Sequence, residues 1–213
     1  KTSSATVSLT INPVNDAPVI DIASTISVDE NQTSVTTVSV SDPDEDDLTL
    51  SVGGTDAASF NLSSDNILTF KEAPDYEAKN AYSISLSLTD GTETVTKSLT
   101  INITNVNDNT PVITSDATFT AAENQTAIGT VTATDADGDT IVFSISGSEL
   151  EVSAAGVVTF ANAPDYETKS SYTATITATD GLYAVTQDIT VNVTNVNDNS
   201  PVITSDATFT AAE

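Results

Sequence analysis

Residues 83–88 read Ser-Ile-Ser-Leu-Ser-Leu. Every second side chain is apolar, and those between are small hydroxyls. Successive side chains of an extended strand point to opposite faces, so this stretch has one apolar face and one wet face. Ser98-Leu99-Thr100-Ile101-Asn102-Ile103 repeats the pattern, and so does Thr173-Ala174-Thr175-Ile176-Thr177-Ala178. Thr89-Asp90-Gly91, between the first two, reads as a hairpin turn. No stretch carries a helical period, so the chain is read as all-β.

The surrounding sequence repeats itself. NVNDNTPVITSDATFTAAE at 105–123 recurs as NVNDNSPVITSDATFTAAE at 195–213, 90 residues later. APDYE at 73–77 and TDG at 89–91 recur at the same spacing, and a diverged NPVNDAPVI stands at 12–20. Fixed self-similarity at this period means tandem domains, each long enough to bury a core. The frame is residues 1–16 as the last strand and linker of a preceding repeat, then full repeats at 17–108 and 109–198. Residues 199–213 open a third, so the chain is expected to be a window of a longer array. In the second repeat, strands are expected near 112–120, 127–134, 140–146, 149–153, 156–160, 171–179 and 183–194. Seven short antiparallel strands per repeat predict tandem seven-stranded Greek-key β-sandwiches of Ig-like type. Phe60, Phe70, Phe143 and Phe160 are expected in the cores, and Tyr76 and Tyr166 are expected to pack.

Composition narrows the function. The 213 residues hold 31 Asp and Glu against 5 Lys and Arg, a net charge of −26, with no Cys, His, Met or Trp. Such a surface repels phosphate backbones, so nucleic acid is not an expected partner. No apolar run approaches the ~20 residues of a membrane span. Ser-His, Cys-His and zinc chemistry have no residues to use, and no disulfide can staple the fold. Paired carboxylates can hydrolyse glycosides, but these acids are too numerous in one place and lack an aromatic sugar cleft. No enzyme is expected.

The acids cluster where strands end. Glu30 and Glu123 close first strands, and Asp42, Asp44 and Asp135, Asp137 follow second strands. Asp75, Glu77 and Asp165, Glu167 precede sixth strands, while Asp90 and Asp180 end them. Asn105, Asn107, Asp108 and Asn109 form the junction. Counting strand crossings puts Glu30, Asp75 and Glu77 at the bottom of the first repeat and Asp135, Asp137 and Asp180 at the top of the second. With Asp108 these make seven converging carboxylates, whose repulsion invites hard cations. Calcium takes six to eight oxygen ligands and suits this set. ATDADGD also has an EF-hand flavour, but Thr140 stands where that loop needs Gly and Ser146 where it needs Glu.

Glu-Asn after the first strand, DxD after the second, D-x-E before the sixth, Asp after it and an xxNDNxP linker together resemble the cadherin repeat. The likeness covers both full repeats and both partial ends. It implies cadherin-like sandwiches with three calcium ions per junction. Glu30, Asp75, Glu77 and Asp108 would hold the ions nearest the first repeat. Asn105 and the carbonyl of Val106 would sit mid-linker, with Asn107, the carbonyl of Asn109, Asp135, Asp137 and Asp180 around the ion nearest the second repeat. The upstream half-site would use Asn15, Asp16, Asp42, Asp44 and Asp90. The downstream one would use Glu123, Asp165, Glu167, Asn195, Asn197 and Asp198. Fifteen of the 31 acids are thereby assigned to ions. Asn105 and Asn195 stand where the family has Asp, which is expected to weaken the middle ion. Pro13 and Ala17 replace the first and last linker Asn, so that junction is expected to hold fewer ions. The absence of Trp removes the strand exchange of vertebrate cell–cell cadherins, and the Thr-rich, Cys-free repeats look more like those of large bacterial surface adhesins.

The leading expectation is an extracellular, calcium-rigidified spacer at the cell surface, with neighbouring repeats of the same chain as its partners. Two alternatives stand beside it. One is a module binding a cell-surface glycan or protein through Tyr183 and the PDYE tyrosines. The other is self-assembly of copies by addition of the end strands at 1–12 and 202–213. Sequons at Asn31, Asn61, Asn102, Asn124 and Asn192 matter only in a glycosylating host.

Overall fold

The computed structural model describes residues 1–10, 14–205 and 208. Two compact units divide between Val106 and Asn107, inside the expected junction. Pro13 lies outside the described residues, as does most of the end strand expected at 202–213. Residues 1–10 carry no strand and are exposed. A lone strand has no ladder partner to hold it.

Unit 1 runs β1 (Val19–Asp21), β2 (Thr25–Asp29), β3 (Ser34–Thr37), β4 (Ser39–Ser41), β5 (Thr49–Gly53), β6 (Phe60–Leu62), β7 (Ile67–Phe70), β8 (Ala81–Thr89) and β9 (Thr94–Thr104). Unit 2 follows with β10 (Val112–Ile113), β11 (Thr118–Ala122), β12 (Ala127–Thr130), β13 (Ala133–Thr134), β14 (Val142–Ile145), β15 (Leu150–Val152), β16 (Val157–Phe160), β17 (Ser171–Thr179) and β18 (Ala184–Thr194). Each unit is a β-sandwich. A four-stranded sheet, β2-β9-β8-β5 or β11-β18-β17-β14, faces a three-stranded one, β3-β7-β6 or β12-β16-β15, with a two-stranded ribbon at one end. Among the described residues no helix is long and apolar enough to cross a membrane.

Two expectations need correction. The strands expected at 112–120 and 127–134 are each broken in two. Val112–Ile113 pairs antiparallel with Ala133–Thr134, while Thr118–Ala122 crosses to the other sheet. The break lets one strand serve both sheets, as sandwich corners require. The pairing is also not wholly antiparallel, because β11 runs parallel to β18 and β2 parallel to β9.

The alternating segments behave as read. Ile84, Leu86, Leu88, Leu99 and Ile101 fill the core of unit 1, with the rings of Phe60 and Phe70 packed at a tilt, 4.6 Å between centres. Ile176, Ile189, Val191 and Phe160 do the same in unit 2. Phe143 is only half-buried, packed against the edge of that core. Tyr76 packs against the first core, whereas Tyr166 is exposed. The repeat offset itself changes along the chain. Glu30 and Glu123 are 93 positions apart, but Asp75 and Asp165 are 90 apart. The three extra residues of unit 1 lie around the 3₁₀ turn Ala57–Ser59, which unit 2 lacks.

Candidate metal centre

At one end of each sandwich a glutamate ties three segments together. Glu30 follows β2, and the next residue, Asn31, turns left-handed at φ 63°. Its Oε2 accepts the Tyr76 N–H at 2.7 Å and its Oε1 the Val106 N–H at 2.8 Å. Unit 2 repeats this: Glu123 Oε2 takes Tyr166 N–H at 2.8 Å, Oε1 takes Val196 N–H at 2.7 Å, and Asn124 turns at φ 65°. Strand end, PDYE loop and linker thus meet on one carboxylate. Both glutamates are only 3% exposed, the sole buried charged residues among those described. A buried charge needs compensation, and two N–H groups supply some of it. Around Glu123 stand Glu167 and Asp198, with one carboxylate oxygen of each of the three within 4.8 Å of the others. Asn195 Nδ2 reaches Glu167 Oε1 at 3.0 Å. Asp165 accepts the Thr168 hydroxyl at 2.8 Å, and that bond, followed by the Glu167 side chain and N–H, holds its carboxyl below the ordinary value against the effect of burial. Asp75 accepts the Ala78 N–H in the matching turn of unit 1, with Glu77 exposed beside it.

The opposite end of each sandwich carries the DxD loop. Asp42 Oδ1 accepts the N–H groups of Asp44 at 2.8 Å and Asp46 at 3.3 Å, and Asp135 Oδ1 those of Asp137 at 3.0 Å and Asp139 at 3.4 Å. Each turn folds a third acid onto the pair, giving Asp42-Asp44-Asp46 and Asp135-Asp137-Asp139 groups. The linker docks here. Asp16 N–H donates to Asp44 Oδ2 at 2.7 Å, and Asp108 and Asn109 N–H donate to Asp137 Oδ2 at 3.1 and 2.8 Å. Asp90 and Asp180 approach from the β8–β9 and β17–β18 hairpins. The Asn15 amide, above all, and the Glu93 and Thr92 N–H groups hold the Asp90 carboxyl below its ordinary value. Burial pushes Asp180 up, but the Tyr183 and Leu182 N–H groups and the Asn107 side chain outweigh it, leaving that carboxyl low too. Asp46 moves the other way, raised by partial desolvation and then by Asp42, Asp44, Asp90 and Asp47, although it lies at the surface.

The oxygens that find no donor decide what these ends can do. Asp42 Oδ2, Asp135 Oδ2, Asp180 Oδ2 and Asn107 Oδ1 are buried without a hydrogen-bond partner. Buried acceptors are normally satisfied, and each exception calls for an explanation. Among the described residues the ion-paired lysines serve other acids: Lys79 binds Asp56, and Lys169 binds Glu149 at 2.6 Å. The donor set is all oxygen, which fits a hard cation such as calcium.

Of the sequence-predicted residues, the structure gathers Glu123, Glu167, Asn195 and Asp198 at one end of unit 2, where the Val196 N–H, not singled out in the sequence, joins them. It places Glu30 with Val106 at the matching end of unit 1. At the other ends it gathers Asn15, Asp16, Asp42, Asp44 and Asp90, and Asn107, Asp108, Asn109, Asp135, Asp137 and Asp180. Asn105 stands one residue before Val106, and Asn197 remains exposed. Sequence reasoning misses Asp46, Asp139 and Asn124. The signal for the first two is a third Asp at i+4 in Asp42-Pro-Asp-Glu-Asp and Asp135-Ala-Asp-Gly-Asp.

Fold and site together define a tandem array of Ig-like sandwiches with acid-lined ends. The Bacterial Ig domain profile matches residues 15–104. The chain is 32% identical to the protocadherin-like wing polarity protein stan of Drosophila melanogaster, over 96% of this chain but 7% of that protein. It is 28% identical to human cadherin-23, over 79% of this chain and 6% of that one. The protocadherin gammaB7 EC3-6 cis-dimer structure superposes with a TM-score of 0.73 at 27% identity, covering 87% of this chain and 53% of that one. Human protocadherin-24 EC1-2 superposes equally, at 0.73 and 20% identity, over 86% of this chain and all of that one. The chain therefore consists of cadherin-like repeats, and it spans less than a tenth of the length of the two curated relatives, stan and cadherin-23.

Proposed function

We propose that the chain is a spacer segment of a long cell-surface adhesin, with calcium stiffening the junctions between its repeats. The repeats are taken as 17–108 and 109–198, with an NDN triplet straddling the end of each. The observation that carries the reading is the set of buried, donorless oxygens on Asp42, Asp135, Asp180 and Asn107. Calcium would supply the positive charge and the oxygen coordination that those atoms lack.

The chain's own residues do the rest. Glu30, Asp75, Glu77 and Asp108 are assigned to the first-repeat side of the central junction. Asn105 and Val106 lie mid-linker, and Asn107, Asn109, Asp135, Asp137 and Asp180 lie on the second-repeat side. The linker is pinned within each unit: Val106 hangs on Glu30, while Asp108 and Asn109 hang on Asp137. Only Asn107 separates these anchors in sequence, so ions that fix both carboxylates restrict the hinge to very few torsions. The Bacterial Ig domain match and the Cys-free composition favour a bacterial surface protein. The role is mechanical and adhesive rather than catalytic, with neighbouring repeats as the first partners.

The test is small-angle scattering and thermal melting of the whole chain, with calcium and then with chelator. Calcium should stiffen the chain and raise its melting temperature, with half-saturation at about 10⁻⁴–10⁻³ M, as for extracellular modules. Asp137→Ala should lose most of that gain. Identical scattering curves and melting temperatures in the two conditions would sink the proposal.

A further inference from the structure

Side-chain amides face the carboxylates at the ends of both units. In unit 1, Asn15 Nδ2 donates to Asp90 Oδ2 at 3.0 Å. In unit 2, Asn195 Nδ2 donates to Glu167 Oε1 at 3.0 Å and Asn124 Nδ2 to Asp198 Oδ2 at 2.6 Å. Asn109 Nδ2 spans Asp108 Oδ1 and Asp137 Oδ1, both at 2.8 Å. The Asn107 side chain bonds Asp180. The same residue type thus meets an acid at both ends of unit 2 and at the linker end of unit 1.

An amide is two groups in one. Its NH₂ end donates and its oxygen accepts, and a half-turn of the side chain exchanges them. The NH₂ end can hold a carboxylate in place without adding charge, and the oxygen end can face a cation. An Asp at the same position could do only the second. At position 195 it would also add a like charge to Glu123, Glu167 and Asp198, whose oxygens already crowd within 4.8 Å.

We infer that the linker asparagines, Asn195 foremost, are positioning residues that hold the carboxylates in their ligand arrangement when no cation is bound. The cation half of this rests on the calcium reading above, while the hydrogen-bonding half stands without it. Asn at the start of the linker then sets a compromise. The repeat stays ordered without ions, and each ion binds more weakly than an Asp would hold it.

The experiment compares the whole chain with Asn195→Ala, Asn195→Asp and the exchange Asn195→Asp/Glu167→Gln, which swaps donor and acceptor at constant charge. In chelator, Asn195→Ala should lower the melting of unit 2 by several degrees and Asn195→Asp by more, about 4–8 °C. The exchange should recover the parent value. In calcium, Asn195→Asp should bind about tenfold tighter, since added ligand charge raises affinity. A merely structural defect would weaken binding and stability together. If Asn195→Ala melts with the parent in chelator, or the exchange fails to recover Asn195→Asp, the inference is overturned. Parent protein whose melting ignores calcium would overturn the calcium reading alone.

Discussion

Glu30 and Glu123 each join three chain segments with two oxygens. Removing the carboxylate leaves two partly buried N–H groups, those of Tyr166 and Val196 in unit 2, without acceptors. Each costs about 1–3 kcal/mol when orphaned. Glu123→Ala should therefore destabilise unit 2 by about 2–4 kcal/mol in denaturant unfolding under chelator. Glu123→Gln keeps one acceptor oxygen and should cost about half as much. Asp56 offers a pH test confined to unit 1. The Lys79 ammonium, then the Ser83 N–H, holds its carboxyl below the ordinary value. A carboxyl lowered in the folded state stabilises above its unfolded value, and that gain is lost as pH falls through the folded one. The melting difference between the protein and Asp56→Asn should thus be constant near neutrality and shrink below about pH 4. A difference that persists unchanged at about pH 2 would show that Asp56 acts through shape, not charge.

At the scale of elements, the β15–β16 turn depends on a left-handed residue. Gly156 has φ +82°, and a Cβ there would sit 2.3 Å from the Val131 carbonyl oxygen. That carbonyl lies at the break between β12 and β13, where Val131 N–H donates back to Gly156 O at 2.9 Å. Unit 1 fills the same position with Asn66 at φ 59°. Gly156→Ala should cost at least about 2 kcal/mol, from strain and displacement together, and shift only the melting of unit 2. The contrast between elements also marks how far the sequence can be read. β17 spans Ser171–Thr179, as its alternation predicts, because its register depends only on one buried face. The first two strands of the repeat read as continuous. Their breaks arise from a change of sheet, which is a property of the partner strands and leaves no period in the chain itself. Which acids share one end of a single unit can be counted from strand crossings for the same reason that β17 can be read. The direction in which each asparagine amide points cannot, since it depends on hydrogen bonds between loops distant in sequence.

For the whole molecule, a charge of −26 on 213 residues acts in two ways. Spread over a surface it would weaken the compact state through general repulsion. Concentrated at the ends of the sandwiches it would serve, under the proposed function, as local ligand charge. Salt separates the two. Raising sodium chloride from about 0.01 M to about 1 M shortens the screening length from ~30 Å to ~3 Å and should raise melting in chelator modestly. Calcium at about 1 mM should raise it further, at roughly a thousandfold lower concentration. Equal gains from both salts would mean that screening, not site binding, accounts for the stabilisation.

The parallel pairing of β11 with β18 has a mechanical side. Thr118–Ala122 enters the sheet of unit 2 beside Thr190–Thr194, which leaves it, with five register pairs between them. Thr25–Asp29 and Thr100–Thr104 stand in the same relation in unit 1. Tension on the chain pulls the start of one strand against the end of the other. Two parallel neighbours loaded in this way slide along their length, so all the rungs carry force together. An antiparallel pair pulled from its open end would instead unzip rung by rung. Resistance to forced unfolding is set by the unfolding barrier and not by equilibrium stability. Each unit is therefore built to bear load along the direction in which a tethered chain would be stretched.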